Sequence, residues 1–329
     1  MRILVTGGAG YIGSHVVLAC LDAGDEVVVL DDFSTGRREA IPKNVALVEG
    51  DVGDPNLVAG ALGAHGIGAV IHMAGRVVVP ESVVVPLTYY QANTAASRSL
   101  IAACVEANVE RFVFSSTAAV YGAPKQNPIT EDAPLDPVNP YGRSKLMTEW
   151  ILADAAVAHG FGCLALRYFN VAGADPEGRA GQSTPQATHL IKVASEAAVG
   201  LRDKVEIFGE DYDTPDGTGI RDYIHVSDLA AAHVAGLRYL AAGGQSRAMN
   251  CGYGRGYSVR EVLATVERVN GRPLNVVPAP RRLGDPPALV ADSSRLQTEI
   301  EWTPKHAGLT AMIESAIGWE KILMRGRDG

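Results

Sequence analysis

RILVTGGAGYIGSHVV, residues 2–17, decides how the rest of the chain is read. A short β-branched run ends at Thr6, four glycines follow within seven residues, and apolar residues then recur at helical spacing. Glycines let the backbone turn tightly and approach a pyrophosphate, whose charge is met by free N–H groups at the start of the helix. Gly8, Gly10 and Gly13 fit the GxGxxG dinucleotide spacing, while Gly7, Gly10 and Gly13 fit GxxGxxG. Asp31 closes the next strand, 18 residues beyond Gly13, where a carboxylate accepts hydrogen bonds from ribose hydroxyls and repels a ribose phosphate. NAD is therefore expected rather than NADP, with Arg37 and Arg38 arguing the other way. Asp51 and Val52, ending the third strand, are placed to meet the adenine ring; a solvated turn acid is the other reading of Asp51.

Outward from this loop, β-branched runs alternate with helical patterns through the first half: RILVT, DEVVVLDD, VALVEGD, AVIHMAG, RFVFSST and CLALRYFN. That rhythm predicts an α/β fold, a Rossmann-type doubly wound parallel sheet, with crossover helices over 13–23 and 86–107. From about Val171 the order changes, so residues 1–170 are read as the dinucleotide-binding domain and 171–329 as a smaller, interleaved C-terminal α/β substrate lobe. A segment near 220–245 returns to the first domain. The ligand is expected between the lobes, at the carboxyl ends of the strands.

The 329 residues can build a core without a disulfide or metal staple. A net charge of -8 offers no field for a nucleic acid, so any anionic ligand must be held by local donors. Cys20, Cys104, Cys163 and Cys251 form no CxxC pair and read as buried free thiols. The apolar start is too short for a signal peptide, and the valine-rich stretch 77–85 is broken by Pro80 and Glu81, so neither a leader nor a membrane span is expected. A reducing cytoplasm fits this pattern, and disorder is expected only at the terminal RGRDG.

The chemistry is carried by NPYGRSK, in which Tyr141 and Lys145 stand four apart just after Pro140, so both side chains share one helix face. A neighbouring ammonium favours the phenolate and makes tyrosine a usable base. The pair follows one βα unit after FVFSSTAAVYG, where Thr117 ends the fifth strand with a hydroxyl aimed at the same crevice.

TGGAGYIGSH, FSSTAAVYG, YGRSKLMTE, LRYFNVAGADPEG, GTGIRDYIHVSDLA and APRRLGDPPA together resemble the UDP-glucose 4-epimerase family of the extended short-chain dehydrogenase/reductase superfamily, from residue 1 to about 320. The resemblance implies exchange of the 4-hydroxyl configuration between UDP-galactose and UDP-glucose. Thr117 then takes the place of the hydroxyl that bonds the sugar 4-hydroxyl, Tyr141 that of the acid/base, and Lys145 that of the residue binding the nicotinamide ribose. Around a retained NAD it places Gly7, Gly10, Tyr11, Ile12, Gly13, Asp31, Asp51, Val52, Met73, Ala74, Gly75, Asn93, Ser115 and Tyr168, together with Tyr141 and Lys145. Around the UDP-sugar it places Asn170, His189, Leu190, Phe208, Arg221, Arg282 and Asp285. Arg281 replaces Arg282 if the register is off by one; Phe208 could equally be ordinary strand packing, and His189 a helix-capping or core histidine. A homodimer through the helices of 86–107 and 141–158 is implied as well.

Nucleotide-sugar dehydratases of the same fold carry an Asp-Glu pair directly after the threonine, whereas this chain has Ala118 and Ala119, which supply no acid or base. Pentose, uronate and N-acetylhexosamine 4-epimerases remain as alternatives, and a catalytically silent NAD-sensing protein is disfavoured by the intact Tyr141 and Lys145. Two departures stand out. GRVVVPES puts Arg76 where many relatives have a lysine near the cofactor diphosphate, with Val77 and Pro80 beside it. Leu289, four after Asp285, falls at the family's gatekeeper position and predicts UDP-galactose as main substrate, with weak turnover of N-acetylated sugars.

Overall fold

The computed structural model describes residues 1–184, 187–282 and 285–325. The strands of the first half are β1 (Arg2–Thr6), β2 (Glu26–Asp31), β3 (Ala46–Glu49), β4 (Ala69–His72), β5 (Arg111–Ser115) and β6 (Gly162–Tyr168). Those of the second half are β7 (Asn170–Ala172), β8 (Val205–Phe208), β9 (Ile220–His225), β10 (Arg247–Cys251), β11 (Gly256–Ser258), β12 (Val276–Ala279) and β13 (Ala288–Leu289). Seven parallel strands build the large sheet in the order β10-β6-β5-β4-β1-β2-β3. Chain order reverses between β1 and β4, and the crevice beyond their carboxyl ends is where doubly wound sheets take ligands.

Both faces of this sheet are covered, which is why its strands read as continuous apolar runs. Alternate side chains go to opposite faces: Ile3 and Val5 pack with Val16, Val17, Leu229 and Leu237, whereas Leu4 packs with Leu62, Leu100 and Leu152. The first face is covered by α1 (Tyr11–Asp22), the second by α2 (Pro55–His65). The predicted helix over 86–107 is not one helix. After α3 (Val79–Val84) and α4 (Pro86–Tyr89) comes a π-helical turn, Tyr90–Ala95, and then α5 (Ala96–Glu106). Such turns insert one residue into the helical ladder and cluster at functional sites; this one carries Asn93. α6 (Pro140–His159) begins where proline and the Asn139 cap direct it, the Asn139 side chain accepting from the Gly142 amide at 2.8 Å.

CLALRYFN reads as one strand but is two. β6 belongs to the large sheet and β7 to a smaller one with β9, β11 and β13, and Phe169 alone joins them. Tyr168 and Asn170 thus sit on different sheets, two residues apart. The smaller core, around Ile191, Val205, Val262 and Met312, gathers α7 (Leu190–Ala198), α9 (Val259–Asn270) and α11 (Leu309–Arg325). α10 (Ser294–Glu299) lies between them in sequence. Within the segment near 220–245, β9 stays in the small sheet, whereas α8 (Val226–Ala241) packs against α1 and β5 and leads into β10 of the large sheet. β10, RAMNC, was hidden by its short, half-polar sequence.

All four cysteines are buried and unbridged. Among the described residues no helix is long and apolar enough to cross a membrane, and no group of three or more histidine, cysteine or carboxylate side chains is placed to hold a metal. The expected terminal disorder falls mostly on residues 326–329, outside the described residues.

Candidate active site

The glycine loop fills both spacings at once. Gly7 has φ 68°, and a Cβ there would sit 2.6 Å from the Ala74 nitrogen; a Cβ on Gly13 would sit 2.0 Å from the Gly7 carbonyl oxygen. Side chains are excluded at both positions by neighbouring backbone. Gly10 is the N-cap of α1 and offers no side chain to cap it, and the first intrahelical bond runs from the Ser14 amide to the Gly10 carbonyl. The amides of Tyr11, Ile12 and Gly13 therefore have no intrahelical acceptor. An uncapped helix start behind a loop with no room for Cβ atoms fits a dinucleotide pyrophosphate. Tyr11 adds a contact that its spacing did not reveal: its hydroxyl donates to the Gly173 carbonyl at 2.6 Å, tying the loop to the chain that enters the smaller lobe.

The Asp31 carboxylate accepts from the Ala9 and Phe33 amides, each at 2.8 Å, and burial raises its pKa while those two amides pull it down. It braces the glycine loop, and its further lone pairs are the ones available to a ribose. Asp51 accepts from the Gly53 amide at 2.8 Å in an exposed turn, and Val52 is buried beside it. Met73 and Ala74 lie against Thr6, whose carbonyl and hydroxyl take their amides. Asn93 is fully engaged by protein: its Oδ1 accepts from the Arg76 amide at 2.7 Å, and its Nδ2 donates to the Arg76 carbonyl and to Ser144 Oγ, each at 3.0 Å. It holds the 75–76 loop, and Gly75 is packed against it, with room for a Cβ only 2.8 Å from Asn93 Oδ1. The Arg76 guanidinium turns to Glu81 at 3.3 Å, both side chains nearly half exposed.

The proton-transfer groups gather where β5 ends. Thr117 Oγ1 accepts from the Ala119 amide at 3.1 Å; burial raises the Tyr141 pKa, and the nearby Thr117 side chain lowers it. Lys145 Nζ donates to the Ser115 carbonyl at 3.0 Å and stands 4.9 Å from the Phe114 ring centroid. Burial pulls its pKa down from 10.5 to about 8, against the opposing charge of Glu149. Ser115 Oγ and the Tyr168 hydroxyl are 2.7 Å apart. His72 lies behind this group, held neutral by burial and by the Lys145 charge with a pKa of about 3, and bonded to Thr6 and Ser97.

The expected substrate residues line the smaller lobe. Asn170 lies close enough to Tyr223 to lower the pKa that burial raises; the sequence reading missed Tyr223 although it stands two after Arg221, on the same face of β9. Arg221 donates to Asp285 at 2.5 Å and to the Pro286 carbonyl at 2.9 Å. Arg282 stacks over the Phe208 ring at 4.0 Å, whereas Arg281 turns away to Asp211 and the Tyr212 ring. Of the two neighbouring arginines, Arg282 is thus the one against Phe208. His189 takes the N-cap position of α7 but its side chain makes no capping bond; its Nδ1 lies 2.8 Å from Gln182 Nε2, and burial lowers its pKa. Leu190 opens α7, and Leu289 is paired in register with Arg221.

Residues 3–252 match the NAD dependent epimerase/dehydratase family. The chain is 60% identical over 322 residues to the UDP-glucose 4-epimerase of Azospirillum brasilense, covering 98% of this chain and 92% of that one. The crystal structure of the Brucella ovis UDP-glucose 4-epimerase in complex with NAD superposes with a TM-score of 0.93 at 43% identity, covering 96% of this chain and 97% of that one. The Bifidobacterium longum UDP-glucose 4-epimerase, solved with NAD+ and UDP, superposes with a TM-score of 0.93 at 38% identity, covering 99% and 100%. With the glycine loop, the Thr117–Tyr141–Lys145 group and the two-lobed fold alike in place, the chain belongs to the NAD-dependent epimerase/dehydratase family, in its UDP-glucose 4-epimerase branch.

Proposed function

We infer that this chain interconverts UDP-galactose and UDP-glucose at C4 through a transient 4-keto sugar, keeping one NAD bound throughout. The observation that carries the reading is the gathering of Thr117, Tyr141 and the buried Lys145 ammonium where β5 ends, with Lys145 Nζ anchored on the Ser115 carbonyl and the Thr117 side chain close enough to lower the Tyr141 pKa. When bound, the dinucleotide supplies reversible oxidation of the sugar carbon; Gly7, Gly10, Gly13 and the first amides of α1 hold its pyrophosphate, and Asp31 its ribose. Thr117 bonds the 4-hydroxyl and orients it toward Tyr141 Oη. Tyr141 takes that proton and later returns it, and the Lys145 charge lowers the cost of the phenolate in between. Arg221 and Arg282 grip the diphosphate with planar, multiply donating guanidinium groups, aided by Asn170, while the sugar turns to present its other face. His189 and Leu190 stand by the nucleotide, Phe208 lies by the uracil, and Asp285 accepts from the uridine ribose.

Tyr141→Phe tests this reading. Turnover of UDP-galactose should fall by about a hundred- to ten-thousandfold while bound NAD, released on denaturation and counted, stays near one per chain. Protein purified without dinucleotide, and dependent on free NAD+ as on a second substrate, would overturn the retained-cofactor reading.

The division of labour follows the lobes, with the cofactor on the 1–170 domain and the nucleotide-sugar gripped from 171–329. Leu289, intermediate in size, favours UDP-galactose as main substrate with weak N-acetylhexosamine turnover; equal or faster conversion of UDP-N-acetylgalactosamine would reverse that ranking. The chain acts as a homodimer in a reducing cytoplasm. Supporting the dimer, Met147, Trp150 and Val157 repeat along the exposed face of α6, with Val83, Val84 and Leu87 exposed on α3 and α4, which pack against it.

A further inference from the structure

We propose that Glu149 is a positioning residue for the Tyr141/Lys145 pair, acting through Ser116 and through its charge one helical turn behind Lys145. The proposal rests on the epimerase reading above. Tyr141, Lys145 and Glu149 are four apart on one face of α6, and each meets one of three consecutive residues where β5 ends. The Thr117 side chain lies close enough to Tyr141 to lower its pKa, the Lys145 ammonium donates to the Ser115 carbonyl at 3.0 Å, and the Glu149 carboxylate accepts from the Ser116 hydroxyl. Two of these three ties hold the reacting group and its cation. The third fixes the residue between them.

Glu149 is itself locked. Arg167, on β6, donates from Nε to Oε1 at 3.0 Å and from Nη2 to Oε2 at 2.6 Å, with both side chains buried. Arg167 Nη1 also meets the Tyr121 hydroxyl at 3.0 Å, which in turn donates to Asn250 Oδ1 at 2.7 Å. Ser116 is wholly buried and its amide bonds the Leu166 carbonyl at 2.9 Å, so a shift of Ser116 moves both neighbours. Geometry of this kind sets the Thr117 hydroxyl and the Ser115 carbonyl together.

The charged and titratable groups around Lys145 are few. Its own helix supplies Tyr141 and Glu149, β4 the neutral His72, and β6 Tyr168 and Arg167. Glu149 is thus the carboxylate that counters burial of the ammonium. Removing it takes away the charge that favours the ammonium, which weakens protonation of Lys145 and hence support for the Tyr141 phenolate.

The test is the pH dependence of kcat for UDP-galactose in Glu149→Gln, Glu149→Asp and Ser116→Ala. In Glu149→Gln, kcat should fall roughly tenfold with KM within about twofold, and the alkaline limb, where Lys145 loses its proton, should move toward acid by about half a pH unit or more. Glu149→Asp should restore the position of the limb, since it keeps the charge. Ser116→Ala should lower kcat several-fold, by roughly three- to tenfold, with the limb unmoved. A folded Glu149→Gln with lowered Tm but the parent's limb and kcat would make the residue a brace only and overturn the proposal. Should Glu149→Gln not fold, parental kcat in both other variants overturns it instead. Tyr141→Phe in the same assay separates the two readings: if it still epimerises, the site assignment fails, and if it is inactive while Glu149→Gln matches the parent, only the role of Glu149 fails.

Discussion

Arg221 and Asp285, assigned to the diphosphate and the ribose of the same nucleotide, hold each other across 2.5 Å. The side chain of Arg221 is only 12% exposed and that of Asp285 34% exposed, and with the Ile220 carbonyl, which accepts from Nη1 at 2.7 Å, the pair fixes the guanidinium in place. Arg221→Ala should weaken UDP binding at least about tenfold, or ~1.4 kcal/mol, by titration calorimetry. Asp285→Ala should cost less alone, and the two losses should not add, because the residues touch. Unchanged UDP affinity in Arg221→Ala would remove it from the site.

Lys145 carries a stability cost that its function requires. Its pKa in the fold, about 8, lies below the ordinary 10.5, so between those values the unfolded chain binds more protons and stability rises with pH. Below pH 8 the full penalty applies, on the order of 1–3 kcal/mol. Lys145→Met should therefore raise the Tm of ligand-free protein near pH 7, flatten its rise between pH 8 and 10.5, and abolish turnover. A variant melting below the parent at neutral pH would contradict this.

Within the glycine loop, substitution should be graded by distance. Gly13→Ala places a Cβ 2.0 Å from the Gly7 oxygen and must displace the loop, whereas at Gly10 the nearest atom is 3.3 Å away. Bound NAD per purified chain should fall more than about tenfold in Gly13→Ala and far less in Gly10→Ala. Equal retention by both would show that the loop does not set cofactor affinity.

The exposed apolar face of α6 gives a separate test. Trp150→Glu, at a position 56% exposed, puts a charge where an interface core would bury it. Sedimentation should show the parent as a dimer and the variant as a monomer with its fold intact. A parent that sediments as a monomer would remove the dimer proposal.

Much of the large sheet was legible because a doubly wound sheet writes itself as β-branched runs separated by helical periods, and because the glycine loop marks its first turn. The break at Phe169 was not, since a strand that changes sheet keeps the same period and residue types on both sides. Nor was the π-helical turn at Asn93, because one inserted residue barely disturbs an apolar pattern. Tyr141, Lys145 and Thr117 could be read from spacing, but Glu149, Ser116 and Tyr223 work through partners far away in sequence. Helical spacing alone would have placed Glu149 on the face of Tyr141 and Lys145; the burial that makes it matter appears only once Arg167 is packed against it.

The joins between the two lobes are mostly short. One residue separates β6 from β7, none separates β9 from α8, four lie between β10 and β11, four between β13 and α10, and nine between α10 and α11. Five such stitches leave little slack for the lobes to swing apart as rigid bodies, so passage in and out of the crevice falls to the loops at its rim. A UDP-sugar gripped from one side can leave by that route. The Tyr11–Gly173 hydrogen bond ties the glycine loop to the chain entering the smaller lobe, so release of a dinucleotide held by that loop would require this local structure to open. Its residence is then set by the stability of the seam, and any change that loosens the seam should turn a captive cofactor into an exchangeable one.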